Sequence, residues 1–443
     1  MRLLIVVSVL LACSFDAYAA GKINRYSGLS AEYSRSLHRY AATELDAAYY
    51  NPAGLVFGRE GFGLKLLNQS TVLKSRFTIT DPEALALVGH DGDLKYNPEE
   101  IAYDVVIPSP MMMASYNTGD FAFHMTTGIL AGGVIALEGN HPILLENTKY
   151  VLDNINAIVE EQTGAPNFYK DVDFDKSELA AGTYYGGLML GTTYKAADWV
   201  SVALSGKIIY AWGKIGLKTD FQVEHVDFGW GDAADGTEMI EVDADQRGYG
   251  FSGLLSVHLR PLDNLDIAFK YETLTKIEMT TTPTIDTAGI ITGEPTRSDI
   301  PAQFTTGVNY HILPELSVQL SFAWFFNSQA EIGELLGYDP SSQLKDGWET
   351  GVGVEYQLNE DLLLSAGYLH LHSGYRQDTR AGNRFSMPGH FIALGGAYQA
   401  TQDLRLVMGF MAMLDEPGMN RNNNLELQVD TYVLSIGLDY WFL

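Results

Sequence analysis

From residue 60 onward the chain is patterned on a period of two. In Leu316–Trp324, LSVQLSFAW, the apolar residues Leu316, Val318, Leu320, Phe322 and Trp324 share one face and Ser317, Gln319, Ser321 and Ala323 the other. Phe304, Thr306, Val308 and Tyr310 alternate in the same way with Thr305, Gly307, Asn309 and His311, as do Ile267, Phe269 and Tyr271 with Asp266, Ala268, Lys270 and Glu272. Leu404, Leu406, Met408 and Phe410 repeat the pattern near the C-terminus. Such strands suit one layer of a soluble sandwich or the wall of a membrane barrel.

The connections separate the two. Short polar links fall at 117–120, 196–198, 261–264, 313–315, 359–361 and 400–403. Between them run longer polar connections near 81–101, 133–176, 226–240, 283–297, 327–345, 373–385 and 415–425. Strict alternation of short turns with long loops predicts an outer-membrane barrel, turns on the periplasmic side and loops outside, with about fourteen strands. The last segment agrees. Tyr432, Leu434, Ile436, Leu438, Tyr440 and Phe442 share a face, and the chain closes on Tyr440-Trp-Phe-Leu443, the aromatic kind of strand that barrel-assembly machinery recognises, with Leu443 where a terminal Phe is usual.

Two stretches break the period. Residues 140–164 place Leu144, Leu145, Val151, Leu152, Ile155 and Ile158 at helical spacing and predict one or two amphipathic helices in an outer loop. Residues 20–56 space Tyr33, Leu37, Tyr40 and Ala41 helically, then reach Asp46-Ala-Ala-Tyr-Tyr-Asn-Pro-Ala-Gly54, where Pro52 should stop a helix and Ala53-Gly54 should turn the chain.

Composition narrows the partners. With 28 Lys+Arg against 55 Asp+Glu, the 443-residue chain carries a formal charge of -27 and repels a phosphate backbone, which excludes nucleic acid. Residues 1–19 form a secretory signal: Arg2, an apolar core from Leu3 to Ala12, and a small-x-small site at Ala17-Tyr-Ala19. Cys13, the single cysteine, lies inside it. It is either an ordinary signal residue, leaving a mature chain without thiol chemistry, or a lipidated N-terminus after Leu10-Leu-Ala12. Past the signal no apolar run of about 18 residues appears, so no helix spans a bilayer; an exported chain is then soluble or a closed barrel.

Ser30 to Leu55, SAEYSRSLHRYAATELDAAYYNPAGL, resembles the N-terminal region of the FadL-type transporters of hydrophobic compounds, which carry Asn-Pro-Ala directly after the signal. Ile300–Val308 and Asp346–Tyr356 resemble later strand openings of that family. The resemblance implies three parts: a signal at 1–19, a hatch at 20–56 plugging the lumen, and a barrel at 57–443 in the bacterial outer membrane. It implies passive import of hydrophobic molecules, long-chain fatty acids foremost, by a monomeric barrel surrounded by outer-membrane lipid. Capture on outer loops and lateral release at a kink in the third strand complete the implied path. Burial of an acyl chain favours such capture by about 0.8 kcal/mol per methylene.

Carried onto this chain, Asn51, Pro52, Ala53 and Gly54 are the hatch motif, and Gly132 and Gly133 stand where the kink is expected, although the end of a strand explains the same glycines. A ligand carboxylate needs a fixed donor in an apolar pocket. Arg35, His38 and Arg39 in the hatch, and Lys207 and Lys270 on the lumen parity of their strands, are the candidates; ordinary lumen ion pairing is the alternative for each. Leu144, Leu145, Leu152 and Ile155 are candidates for an outer apolar catch, or for packing within their loop. His370-x-His372 is the closest approach to a metal motif, and with no Asp, Glu or third His beside it in sequence no metal site or cofactor is expected. No nucleophile–base pair is evident, so no enzyme is expected. An acidic porin or surface adhesin, and behind it a barrel lipase or protease, are the alternative readings.

Overall fold

A computed structural model of the protein describes residues 28–81, 99–138, 160–161, 169–173, 178–225, 236–287, 295–331, 344–374, 387–420 and 424–442. The signal, most of the expected loop helix and its Leu144, Leu145, Leu152 and Ile155 lie outside these residues.

Fourteen antiparallel wall strands run in chain order: β1 (Gly61–Ile79), β2 (Glu99–Asn117), β3 (Phe121–Glu138), β4 (Glu178–Ala197), β5 (Val200–His225), β6 (Gly236–Leu262), β7 in two segments (Leu265–Glu272 and Glu278–Asp286), β8 (Gln303–Leu313), β9 (Leu316–Phe325), β10 (Gly347–Gln357), β11 (Leu362–His372), β12 (Gly389–Gln399), β13 (Leu404–Asp415) and β14 (Leu425–Phe442). Each pairs with its sequence neighbour, and β1 pairs with β14 from Phe62↔Phe442 to Ile79↔Leu425, which closes the barrel. Closure pairs the first strand with the last and so removes the free edges of an open sheet, the condition for a sheet to sit in lipid.

The period of two read from sequence is the period of the wall. On β5, Val202, Leu204 and Ile208 point outward, while Ala203, Ile209 and Ala211 are buried in the lumen. Phe62, Tyr116, Phe121, Tyr194, Trp199, Tyr310, Tyr356, Tyr398 and Phe442 are exposed at the short-turn end, an aromatic girdle at one membrane surface. No helix among the described residues is long and apolar enough to cross a membrane.

One seam is incomplete. β2 and β3 pair only from Met111↔Gly128 down to Asn117↔Ala122; above that level β2 pairs with β1 alone and β3 with β4 alone. Pro108 and Pro110 in β2 lack N–H donors, and proline inside a sheet belongs at an edge. Opposite them β3 holds Gly128 at φ 149°, slips its register against β4 between Ile129 and Ala131, and holds Gly132 at φ 140°. The irregularity is therefore centred on Leu130, just before the Gly132-Gly133 pair singled out in the sequence.

Residues 28–58 fill the lumen. Helix α1 (Ala31–Ser36) is capped by Ser30, whose hydroxyl accepts the Tyr33 N–H. The helical spacing through Tyr40 is not realised: α1 stops at Leu37, which adopts φ 64°, a left-handed conformation rare outside glycine. Leu37 is fully buried against Leu369 and Leu371 of β11, and that burial holds the strained turn. A short helix α2 (Ala47–Tyr50) ends at Asn51 with φ -153°, and Pro52 opens a 3₁₀ helix (Pro52–Phe57), so Ala53-Gly54 continues helically where a turn was expected.

Candidate functional site

The first half of the lumenal segment meets the wall through glycine. Gly353 faces Gly367 across β10–β11, and Gly395 faces Gly409 across β12–β13, all on the lumen side. A Cβ on Gly367 would overlap the Ser36 carbonyl, and one on Gly409 would lie 2.5 Å from the Ala31 oxygen. These glycines scoop a bed that lets α1 lie directly on the strands. The abundance of glycine reads from sequence as a barrel trait; its placement under α1 does not.

Charge then fastens this half. Lys65 of β1 is fully buried between Glu32 (2.5 Å) and Asp439 of β14. Arg35 reaches Glu355 at 2.5 Å, Arg39 grips Glu44 (2.5 Å) and Asp46 (2.8 Å), and Arg405 closes on Glu44. Burial alone would raise the Glu44 carboxyl, but Arg405, Arg39 and Arg35 outweigh it and hold its pKa well below the usual value. Glu32 is lowered by the same contest between burial and Lys65. His38 goes the other way: burial lowers it to about 4. Its geometry allows a neutral ring: Nε2–H donates to the Tyr368 carbonyl (3.1 Å), and Nδ1, 2.5 Å from the Ser321 hydroxyl, can accept from it.

Among the described residues, the second half is fastened without ion pairs of its own. Asn51 Nδ2 donates to the Ala42 carbonyl (3.0 Å) and to His258 Nδ1 (2.8 Å), and His258 Nε2–H donates to Asp266 (2.9 Å). Thr193 donates to the Pro52 carbonyl (2.7 Å), Ser201 to that of Ala53 (2.5 Å), and the Ala53 N–H donates to Ser256 (3.0 Å). Asn117 donates to the Leu55 carbonyl at 2.9 Å. A Cβ on Gly54 would overlap the Ala42 carbonyl. The His258–Asp266 pair has the outline of a catalytic dyad, but its free nitrogen is taken by Asn51, an amide with no nucleophilic role.

Between the first half, α2 and the wall lies a cavity of about 80 Å³. Tyr33, Tyr40, Tyr49 and Tyr50 line it from the lumenal segment, and Leu130 and Ala131 line it from the β3 bulge. At its N-terminal edge Gly28 packs against Ile129, Leu130 and Met111, the level at which β2–β3 pairing ends. The cavity thus abuts the incomplete seam.

The five basic candidates divide here. Arg35, His38 and Arg39 bind the segment to itself and to the wall and do not line this cavity. Lys207 and Lys270 both do, 7% and 6% exposed. Lys207 is paired with Glu272, whose other oxygen accepts from Gln303 at 2.9 Å. Among the described residues Lys270 has no carboxylate at ion-pair distance; its ammonium lies 3.4 Å from the Tyr49 carbonyl and 5.8 Å from the centre of the Tyr49 ring. Sequence reading missed Glu32, Lys65, Glu355, Arg405 and Asp439. Their signal was lumen parity: charges on the inner face of a strand need partners, and Lys65 and Asp439 are direct register neighbours. It also missed Pro108 and Pro110.

A family model described as outer membrane protein transport protein (OMPP1/FadL/TodX) matches residues 183–441. Among solved structures, a Pseudomonas aeruginosa FadL homologue superposes with a TM-score of 0.64 at 14% identity, covering 94% of this chain and 98% of that one. The Pseudomonas putida toluene transporter TodX gives 0.56 at 13% identity, covering 94% and 98%. The Ralstonia pickettii toluene transporter TbuX gives 0.51 at 13%, covering 90% and 94%. No curated protein is matched. At these identities the superpositions speak to the fold alone.

Proposed function

The chain belongs to the OMPP1/FadL/TodX family of outer membrane transport proteins for hydrophobic compounds, and from that membership we propose that it imports an apolar molecule bearing a carboxylate, a fatty acid foremost. The observation that carries this reading is Lys270, a buried cation with no carboxylate at ion-pair distance among the described residues, in a cavity whose two acidic groups are both engaged, Glu272 by Lys207 and Gln303 and Glu349 by the Tyr40 hydroxyl. A buried ammonium left so is costly, and a ligand carboxylate offsets that cost. The neighbouring Lys207 is already neutralised by Glu272.

In this reading residues 20–56 act as a plug, with Asn51, Pro52, Ala53 and Gly54 as its anchor. The ligand is caught at an outer apolar patch that includes Leu144, Leu145, Leu152 and Ile155. It then moves to the cavity and leaves sideways between β2 and β3, where pairing stops and the Leu130 bulge and Gly132-Gly133 lie. A lateral exit spares an apolar molecule from entering water. Export through the leader at 1–19, insertion by the barrel-assembly machinery and a monomeric state belong to the same reading.

A second reading rests on the cavity's size. At about 80 Å³ it is well below the several hundred Å³ typical of ligand sites. A long chain must therefore displace part of the segment, whereas a small aromatic hydrocarbon, the cargo named for TodX and TbuX, needs less room. One experiment separates them. Purified protein is titrated with a long-chain fatty acid, its alcohol and toluene, alongside Lys270→Met. The carboxylate reading expects the substitution to weaken fatty-acid binding at least tenfold and leave the alcohol unchanged. Equal loss for both, or binding of toluene alone, overturns it.

A further inference from the structure

His370, dismissed in sequence for want of a third donor, acquires two through the fold. It lies directly opposite His390 in the β11–β12 register, with ring centres 5.0 Å apart. Glu416, one residue beyond the end of β13, brings a carboxylate oxygen to 3.5 Å from His390 Nε2. One ligand atom from each of the three lies within 4.8 Å of the others. We propose that His370, His390 and Glu416 form a binding site for a divalent transition-metal ion, zinc foremost, on the outward face of the barrel at its long-loop end.

The donor set selects the metal class. Two imidazoles and one carboxylate suit zinc, nickel or copper, whereas calcium and magnesium require mostly oxygen ligands. Tetrahedral zinc with bonds of about 2.0–2.1 Å sets its ligands roughly 3.4 Å apart. The His390–Glu416 separation already meets that edge, and the remaining gaps close by rotating side chains, since His390 and Glu416 are both about half exposed. Three protein donors leave the fourth position to water.

Two local features fit a held ion. The Tyr368 oxygen sits 2.7 Å from His390 Nδ1, so Nδ1–H can donate to it and leave Nε2 free as a ligand, the usual outer-shell arrangement for a metal-bound histidine. His370 Nδ1 is shielded from solvent and has no hydrogen-bond partner among the described residues, so the ring is short of a polar contact that an ion would supply. Trp348 packs edge-on to His370 at 5.6 Å and limits its rotation. The bound ion would tie together the outer ends of β11, β12 and β13. This inference is independent of the transported ligand.

The test uses the full barrel purified in detergent and stripped with chelator, titrated calorimetrically with zinc, calcium and magnesium in turn. Saturable binding of one zinc per chain is expected, with no comparable heat from calcium or magnesium. His370→Ala and His390→Ala should each weaken zinc binding at least tenfold, and Tyr368→Phe by about tenfold. His372→Ala, on the same strand face beside Trp348, should leave it unchanged. Glu416→Gln lies past the strand end and tests the site without touching the wall, should a histidine variant fail to fold. Zinc affinity equal in wild type, His390→Ala and Glu416→Gln, or calcium binding as tight as zinc, overturns the proposal and leaves the cluster an aromatic girdle only.

Discussion

Residues 30–46 and residues 51–57 lie in the same lumen and are joined by a single turn of helix, yet they are attached to the wall by different chemistry. The first stretch lies on a bed of glycines and is pinned by buried charges: Lys65 between Glu32 and Asp439, Arg35 on Glu355, Arg405 on Glu44. The second is pinned by neutral side chains hydrogen-bonded to its backbone: Thr193, Ser201 and Asn117 donate to carbonyls, and Ser256 accepts the Ala53 N–H. A charged latch is held by few contacts that depend on one another, so it can release as a unit when one charge is lost. A latch of neutral hydrogen bonds loses about 1 kcal/mol at a time and responds little to pH. The contrast predicts that the first stretch, which lines the cavity with Tyr33 and Tyr40, releases more readily than the second.

The largest test removes both. If residues 20–56 plug the barrel, their deletion converts a silent protein in planar bilayers into one that conducts ions stably; unchanged conductance would show that the lumen is closed by something else. Next in size is Lys65→Met. It leaves Glu32 and Asp439 facing each other without the lysine that joins them in a fully buried site, and breaking a buried ion pair in this way costs about 3–5 kcal/mol. Protease digestion from the lumenal segment should accelerate sharply, and adding Glu32→Gln with Asp439→Asn should restore much of the protection.

Acid is a milder lever on the same half. His38 has a docked pKa of about 4 against 6.5 when free, and Glu44 is depressed well below 4.5. Both groups bind more protons when the segment is undocked, so docking is strongest above pH 6.5 and weakens as pH falls from there through about 4 and below. Proteolytic exposure of residues 30–46 should follow that window, while cleavage near 51–57 should stay flat. His38→Gln should remove the part of the pH response above about 4. The smallest expected effect is Ser256→Ala, which removes one acceptor from the Ala53 N–H. It should cost about 0.5–1.5 kcal/mol with no pH dependence. A pH-dependent loss there would erase the distinction between the halves.

Much of the wall was legible from sequence because its grammar is local. Leu316–Trp324 states which side of β9 meets lipid, and the short links at 196–198, 261–264 and 313–315 state where strands reverse. Asn51-Pro52 marked where α2 had to end. The extent of α1 was not legible: the spacing of Tyr33, Leu37 and Tyr40 continues helically, but packing of Leu37 against β11 stops the helix at Ser36. The seam was only half visible. Gly132-Gly133 drew attention to β3, yet Pro108 and Pro110 on the facing strand deprive the pair of donors.

What the sequence determined by itself is the barrel, because a period of two and the rhythm of turns and loops depend only on neighbours a few residues apart. What only the tertiary structure decided is which distant groups meet. Lys65 finds Glu32 and Asp439, Lys270 is left beside the Tyr49 carbonyl, and His370 gains His390 and Glu416 only when β11, β12 and β13 align. The physical reason is register. A strand's own alternation says which face a side chain takes, but closure of the sheet and the packing of residues 28–58 inside it set which charge, amide or imidazole it finds there.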